Sequence, residues 1–420
     1  MGVLTTNIGS HVGKNIMEDL TMPAIVDFPT VVKKALQEFG PLFANEPERK
    51  HFAEYLTGLM MAHKKNVSAI NREFAVTTDQ SCLNRWITEC DWDEEFFNLQ
   101  RIQWLQVQPD TRFSAQGVIP IDNVLVDHDG KLIEDAGYFW DHAEQRYKIA
   151  HDYVIINYVC TSGKHYPLEF YRFTKKDQCE QRGIEFQDHN VLFRQLVDWS
   201  IANQIPGDFT FDSWFTHKDN LNHINGLKRN YVGDIKFNRK ILFKGKDIKV
   251  QDLASQIDPK DRKVVKIGKS RQWYFTVSIR IPGVDHKVRI VILWDKHKDT
   301  KAKKALVTNR TAWEVTRILR VYRYRWTGTE CFHRDGKQHL GMGECQLRSG
   351  RGQTRHMYLV FLAYSLLMSQ LKQSHARAWA LERLTTIGQA CRAVLKESLS
   401  QTLEWVIERA EVDGWSFQKI

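Results

Sequence analysis

Along residues 1 to about 112, apolar and charged positions alternate at helical spacing, and Pro41 and Pro47 interrupt the pattern between Val31–Phe39 and Glu48–Met61. The spacing predicts a separate all-helical N-terminal domain over residues 1–112. Within it, Asn66–Arg72 and Asp79–Trp86 read as two short helices joined by a turn, the second carrying small polar and basic side chains. Such a pair is either a helix-turn-helix that reads DNA or a plain helical hairpin packed on its neighbour.

From Gly117 the period changes from helical to extended. Val118–Val126 is apolar around one Asp, Tyr153–Cys160 is β-branched and aromatic, and His165–Phe173 alternates beyond a turn at Ser162 and Gly163. Val191–Asn203 predicts an amphipathic helix, Asp208–Asp212 a short strand ending on an acid, His217–Gly226 a helix and Tyr231–Ile235 a strand. The order βββαβαβ gives an α/β fold, a mixed sheet flanked by helices, over residues 113–372. A basic stretch from Leu227 to Arg310 follows, in which Trp273–Ile281 and Lys287–Trp294 alternate as strands where a closing helix is expected. Residues 227–310 are thus a β-rich insertion that interrupts the domain. Helical spacing resumes at Thr311 and continues through Glu330 into the apolar run Met357–Met368, and residues 373–420 form a helical tail rich in Leu, Ala and Arg.

Composition narrows the function more than the fold. The 420 residues suggest roughly two or three domains, and 42% hydrophobic content suffices for packed cores. A formal charge of +10, from 60 Lys and Arg against 50 Asp and Glu, favours a polyanionic partner, nucleic acid ahead of membrane. The longest apolar run, Met357–Met368, is too short for a bilayer span, and the opening residues lack the apolar stretch of a signal segment. Seven cysteines, an odd number without paired spacing, fit a reducing cytoplasm. Cys331, His333, His339 and Cys345 are a weak zinc candidate, since no Cys-x-x-Cys or His-x-x-x-His pair supports them.

The chemistry-bearing stretch is Tyr322–Lys337, which sets one carboxylate among closely spaced cations and aromatics. On a helix, Glu330, Arg334 and Lys337 fall at i, i+4 and i+7 and share a face able to meet a metal and a phosphodiester together. Two upstream acids strengthen that reading. Asp122 interrupts a strand otherwise apolar on both faces, where an unpaired charge is costly, and Asp212 lies where a short apolar strand runs out, a usual place for ligands in open α/β sheets. Taken singly, Asp212 reads as a helix N-cap and Asp122 as the start of a turn. Taken with Glu330, they supply the oxygen ligands that hard divalent cations prefer, in a pattern that suits cutting or joining phosphodiesters.

These residues resemble the DDE-type transposases of bacterial insertion sequences, in the group carrying a Tyr-Arg-Glu-Lys signature. The resemblance rests on Ile121–Asp122, on Phe211–Phe215, on Tyr322–Gly343 with its run Phe332–Gly343, and on Asp79–Arg85, so it spans most of the chain. It implies a ribonuclease H-like catalytic domain with a strand-rich insertion ahead of the glutamate-bearing helix. It places the metal-binding catalytic triad on Asp122, Asp212 and Glu330, with Mg²⁺ as the ion and Mn²⁺ as a substitute. The signature falls on Tyr322, Arg325, Glu330 and Lys337. Four residues separate Arg325 from Glu330 where the common signature has three, so Arg323 or Arg334 is an alternative for the arginine. Asp335 lies five positions past Glu330, on the opposite side of a helix, and is a poorer third acid. The resemblance further implies binding to double-stranded DNA, both transposon ends and target, by a homodimer in a synaptic complex, in the bacterial cytoplasm at the nucleoid.

Around this centre, Lys228, Arg229, Lys236, Arg239, Lys240, Lys244, Lys246 and Lys249 lie close together in the insertion and can neutralise phosphates. Lys236, Arg239 and Lys240, with Tyr322, Arg325, Arg334 and Lys337, are the candidate DNA contacts. Trp273, Trp294 and Trp326 read as core ahead of base-stacking platforms. The glycines of Gly341–Gly343 read as a turn, and the basic segment Arg348–Arg355 as a further backbone contact. Two rivals share the pattern, a nuclease of related fold without strand transfer and a non-catalytic DNA-binding protein derived from a transposase.

Overall fold

In the computed structural model the described residues are 25–142, 144–268 and 270–413, so the first 24 residues of the expected helical domain, including the reading of a missing signal segment, and the last seven of the tail lie outside them. The chain opens with α1 (Thr30–Phe39), α2 (Glu46–Met61), α3 (Val67–Arg72), α4 (Gln80–Thr88) and α5 (Glu94–Val107). The side chains of Asn45, Asn66, Asp79 and Asp93 each accept from backbone N–H groups at the starts of α2 to α5, satisfying donors that a helix leaves unpaired. Pro47 sits in the first turn of α2, where its missing N–H costs nothing. Buried Leu83, Trp86 and Ile87 seat α4, and its other face exposes Ser81, Asn84 and Arg85.

The α/β part follows as β1 (Val118–Asp127), β2 (Gly137–Asp141), β3 (Arg146–Val159), β4 (His165–Phe173), α6 (Lys176–Arg182), α7 (His189–Ala202), β5 (Asp208–Phe211), α8 (Lys218–Gly226) and β6 (Tyr231–Asp234). β3 lies antiparallel between β1 and β4, while β5 and β6 run parallel to β1. That mixed order, flanked by helices, is consistent with the ribonuclease H-like fold. The sequence pattern missed β2 and α6. β2 pairs only with the outer end of β3, and its half-exposed Gly-Tyr-Phe-Trp-Asp has no buried run to announce it.

The insertion contains β7 (Lys240–Phe243), β8 (Lys246–Lys249), α9 (Val250–Gln256), β9 (Lys263–Ile267), β10 (Ser270–Ile279), β11 (Val288–Trp294) and β12 (Lys304–Thr308). It extends the domain's sheet instead of standing apart from it. β12 pairs antiparallel with β6, and β11, β10 and β9 continue outward, so ten strands of the described residues form one sheet.

The chain ends in α10 (Val315–Gly328), α11 (Glu330–His339), α12 (Gly350–Gln370) and α13 (Ile387–Asp413). α10 covers one sheet face, where Ile318, Leu319 and Val321 pack with Val118, Val159, Val232 and Leu306. On the other face α7 and α12 lie in the larger core, which runs on without a gap into the N-terminal helices. α12, buried nearly all round, packs against α2, α4 and α5 as well as β4, so the helical layer and the sheet share one core. No helix of the described residues is long and apolar enough to cross a membrane.

The expected single helix through Glu330 is two helices. Thr329 adopts φ −99° and ψ −65° between α10 and α11, and its N–H still reaches the Arg325 carbonyl at 2.9 Å. The residue in excess of the common Arg-to-Glu spacing coincides with this break.

Candidate active site

Three elements bring the acids together. Ile121 of β1 pairs with Phe211, the last residue of the parallel neighbour β5, so Asp122 and Asp212 follow paired positions on adjacent strands. Val118 and Pro120 face α10, and Asp122 continues that row toward the α10–α11 junction. A Cβ on Gly328 would stand 2.4 Å from Pro120 Cγ and 2.9 Å from Val159 Cγ2, so only glycine lets the end of α10 come this close. Two residues later Glu330 begins α11.

Arg325, on the last turn of α10, occupies the middle of the group. Its Nη1 donates to Asp122 Oδ2 at 2.5 Å and lies 3.8 Å from Glu330 Oε1. The Thr329 hydroxyl is 3.4 Å from the same Asp122 oxygen. Burial pushes the Asp122 carboxyl up to about 7; Arg325 opposes the shift, and the negative charges of Asp212 and Glu330 add to it. Burial also disfavours the charged guanidinium, but Asp122, Tyr322, Glu330 and Asp212 more than offset this and hold it protonated.

Asp212 keeps its turn in shape. Its Oδ1 accepts from the Trp214 N–H at 2.8 Å and the Phe215 N–H at 3.4 Å, which closes a local turn and not the helix N-cap available to it from sequence, since the next helix starts only at Lys218. The Thr216 hydroxyl lies 3.1 Å from the Asp212 carbonyl and 2.5 Å from that of Asp234, tying the ends of β5 and β6 together.

The donor chemistry fits a hard divalent cation, with three carboxylates, no thiolate, and one acid whose protonation is favoured by the other two. The geometry is not a closed cage. Among the described residues no three His, Cys, Asp or Glu side chains gather closely enough to hold a metal, which also leaves the Cys331, His333, His339 and Cys345 group without a zinc site. Asp122 and Glu330 instead lie against the Arg325 guanidinium, which also feels the charge of Asp212.

The remaining candidates divide by surroundings. The Tyr322 hydroxyl donates to Asp234 Oδ2 at 3.2 Å and accepts from Lys304 Nζ at 3.0 Å, while Arg325 approaches its ring to 5.9 Å. Arg334 is exposed and paired with the adjacent, buried Asp335. Lys337 is exposed, yet desolvation holds its ammonium below the ordinary lysine value despite the attraction of Asp127. In the insertion Lys236 and Lys240 are exposed and Arg239 half-buried. Arg229 is structural, since it donates to the Ile205 and Gly207 carbonyls and packs on Phe209. The 348–355 segment is less free than its charge suggests, because Arg355 is fully buried and Arg351 pairs with Glu94. Of the tryptophans, Trp294 is core, Trp273 is half-buried against His297, and Trp326 is 60% exposed, contrary to its reading as core.

Sequence reasoning missed four participants. Thr329 and Lys304 carry no signal of their own. Asp234 does, since it ends β6 as an acid much as Asp212 follows β5. Trp214, 55% exposed with Lys236 Nζ 5.4 Å from its ring centre, was legible as a large aromatic two residues past a candidate ligand.

No curated protein matches the chain. Residues 188–366, which include Asp212 and Glu330 but not Asp122, match the family described as the transposase DDE domain, and that match supports a DDE transposase.

Proposed function

We propose that the chain is the transposase of an insertion sequence, which binds the element's terminal inverted repeats and catalyses metal-dependent DNA strand cleavage and strand transfer. The observation that supports this reading is that Arg325 bridges Asp122 and Glu330 while Asp212 lies near enough to raise the Asp122 carboxyl, in a chain whose residues 188–366 match the transposase DDE domain. Asp122, Asp212 and Glu330 are the residues that would hold Mg²⁺, or Mn²⁺ in its place, and the ion when bound supplies activation of the attacking oxygen and offsets charge on the leaving one.

The protein's own share is geometry. Packing under Gly328 fixes Asp122 against the α10–α11 junction, and the turn after β5 fixes Asp212. Arg325, Arg334 and Lys337 supply charge to orient the phosphates flanking the cut, with Tyr322 at the mouth. Lys236, Arg239 and Lys240 extend the cationic surface along the insertion, and residues 1–112, with the exposed face of α4, grip the end sequence. We assign catalysis to residues 113–372 and leave 373–420 as a helical tail. Two copies pairing two ends, as a homodimer in the bacterial cytoplasm at the nucleoid, complete the scheme.

The test is incubation with the element's own ends and Mg²⁺ or Ca²⁺, reading strands on a denaturing gel. Cleaved and joined products are expected with Mg²⁺. Cleavage without joining points to the nuclease rival, and neither product to the non-catalytic one. Glu330→Gln should abolish cleavage and leave end binding near normal; persistent cleavage removes Glu330 from the triad.

A further inference from the structure

The centre of the carboxylate group is already occupied by a positive charge. Arg325 Nη1 bonds Asp122 Oδ2 and stands 3.8 Å from Glu330 Oε1, and the guanidinium also feels the charge of Asp212. A divalent cation bound by the same acids needs the Asp122 oxygen that Arg325 holds, and two positive charges sharing that largely buried carboxylate repel. Arginine cannot yield by losing its proton. It has to move.

We propose that Arg325 is a placeholder cation, mutually exclusive with the metal at Asp122 and Glu330, so that metal loading is coupled to the arrival of DNA. The inference rests on the reading of the three acids as metal ligands. Arg325 sits in the last turn of α10, beside the helix break at Thr329, which gives its side chain a nearby point about which to swing outward. Exposed Arg334 and Lys337 are the cations assigned to flanking phosphates, and Trp326, next to Arg325 in the chain, is exposed as well. A phosphodiester there offers the guanidinium a two-pronged partner in exchange for its carboxylates. Each ligand then favours the same state, and by linkage metal and DNA tighten one another by equal factors. In this scheme Arg325 is a positioning residue that acts through the carboxylates. The rival is a permanent ion pair that merely holds Asp122 in place, in which case removing the arginine loosens the site and weakens metal binding.

Mn²⁺ binding to the full-length chain, followed by calorimetry and by the electron-spin signal of free Mn²⁺, separates the two. Without DNA, wild type is expected to bind Mn²⁺ weakly, and a duplex of the element's end to tighten it about tenfold or more. Arg325→Gln should bind Mn²⁺ at least about tenfold tighter than wild type without DNA and lose most of the DNA-dependent gain. Arg325→Lys, which cannot fork between two carboxylates, should fall between them and serves if the glutamine variant fails to fold. Equal or weaker Mn²⁺ binding in folded Arg325→Gln, or in Arg325→Lys where only that folds, overturns the proposal. Asp122→Asn and Glu330→Gln in the same assay locate the failure. If they leave Mn²⁺ binding intact, the acids are not the ligands and the functional reading fails; if they abolish it while Arg325→Gln changes nothing, only the placeholder fails.

Discussion

Arg355, on α12, donates from Nε to Glu94 Oε2 of α5 at 3.0 Å, and this pair joins the N-terminal helical layer to the helix that packs on the sheet. Its two remaining nitrogens reach the Ile87 and Trp92 carbonyls, and its guanidinium lies 4.2 Å from the Trp92 ring centre. Removing a fully buried charge with three acceptors leaves those acceptors unpaired. Arg355→Met should therefore cost roughly 3 kcal/mol in urea unfolding. Arg351, half-exposed against the same Glu94, should cost under about 1 kcal/mol when replaced by Met. Equal losses in the two variants would remove the distinction.

Gly328→Ala sets a small local gain against a larger misfit. Alanine in a helix is worth about 1 kcal/mol over glycine. The new methyl meets Pro120 and Val159, and overpacking typically costs about 1–3 kcal/mol. Because Glu330 is two residues on, relief of that contact moves the acid proposed as the third metal ligand. Strand cleavage should fall by about ten- to a hundredfold, more than the loss of stability accounts for. Full-rate cleavage by Gly328→Ala would mean that the junction tolerates displacement.

The sequence made legible those features that burial imprints on residue choice. β1, β3, β5 and β6 were visible as apolar or β-branched runs and β4 by its alternation, and Asp122 and Asp212 stood out because a charge within or at the end of an apolar run needs a reason. What escaped lies at the surface or in a single torsion. β2 is half-exposed, so it lacks the buried run that marked its neighbours. The break at Thr329 changes one residue's dihedral angles and leaves helical periodicity on both sides intact. The bridging role of Arg325 depends on where three distant segments meet, which no local pattern encodes. Pairing of β12 with β6 was hidden likewise, since a strand's partner is not written in its own alternation.

The tryptophans give a paired test. Trp294 is fully buried beneath Arg262, whose guanidinium is 4.1 Å from the ring centre, so Trp294→Ala should cost about 3–5 kcal/mol of stability. Trp326 lies exposed four residues before Glu330 and should change stability by no more than about 0.5 kcal/mol on replacement by Ala. If a base stacks on it near the cut, affinity for end DNA should drop by about 1–3 kcal/mol, read by fluorescence anisotropy. Unchanged affinity returns Trp326 to an ordinary surface residue.

Lys337 is exposed, feels the charge of Asp127 and is proposed to meet a phosphate beside the cut. Lys337→Ala should weaken binding across DNA sequences alike and reduce the slope of log affinity against log salt by about one. A slope equal to wild type would show that Lys337 does not meet a phosphate.

Buried histidines set the response to acid. Burial lowers His165 and His356 to about 4 and His333 to about 3, and it also lowers the hydrogen-bonded pair His128 and His151. An unfolded histidine titrates near about 6.5, so below that pH the unfolded chain takes up protons that the folded one refuses. Their contribution to stability is complete above about 6.5 and lost as pH falls toward about 4. Glu169 and Asp122, both raised to about 7 by burial, act with the opposite sign; what they contribute is present below about 4.5 and lost as pH rises through about 7. Five histidines outweigh two acids, so the urea midpoint should fall between pH 6.5 and 4.5. His165 has an unpartnered buried Nε2, and His165→Phe should lower the pH slope of stability by up to one proton, about 1.4 kcal/mol per pH unit. A midpoint that is flat or rising toward acid would mean that these histidines take up protons in the folded state.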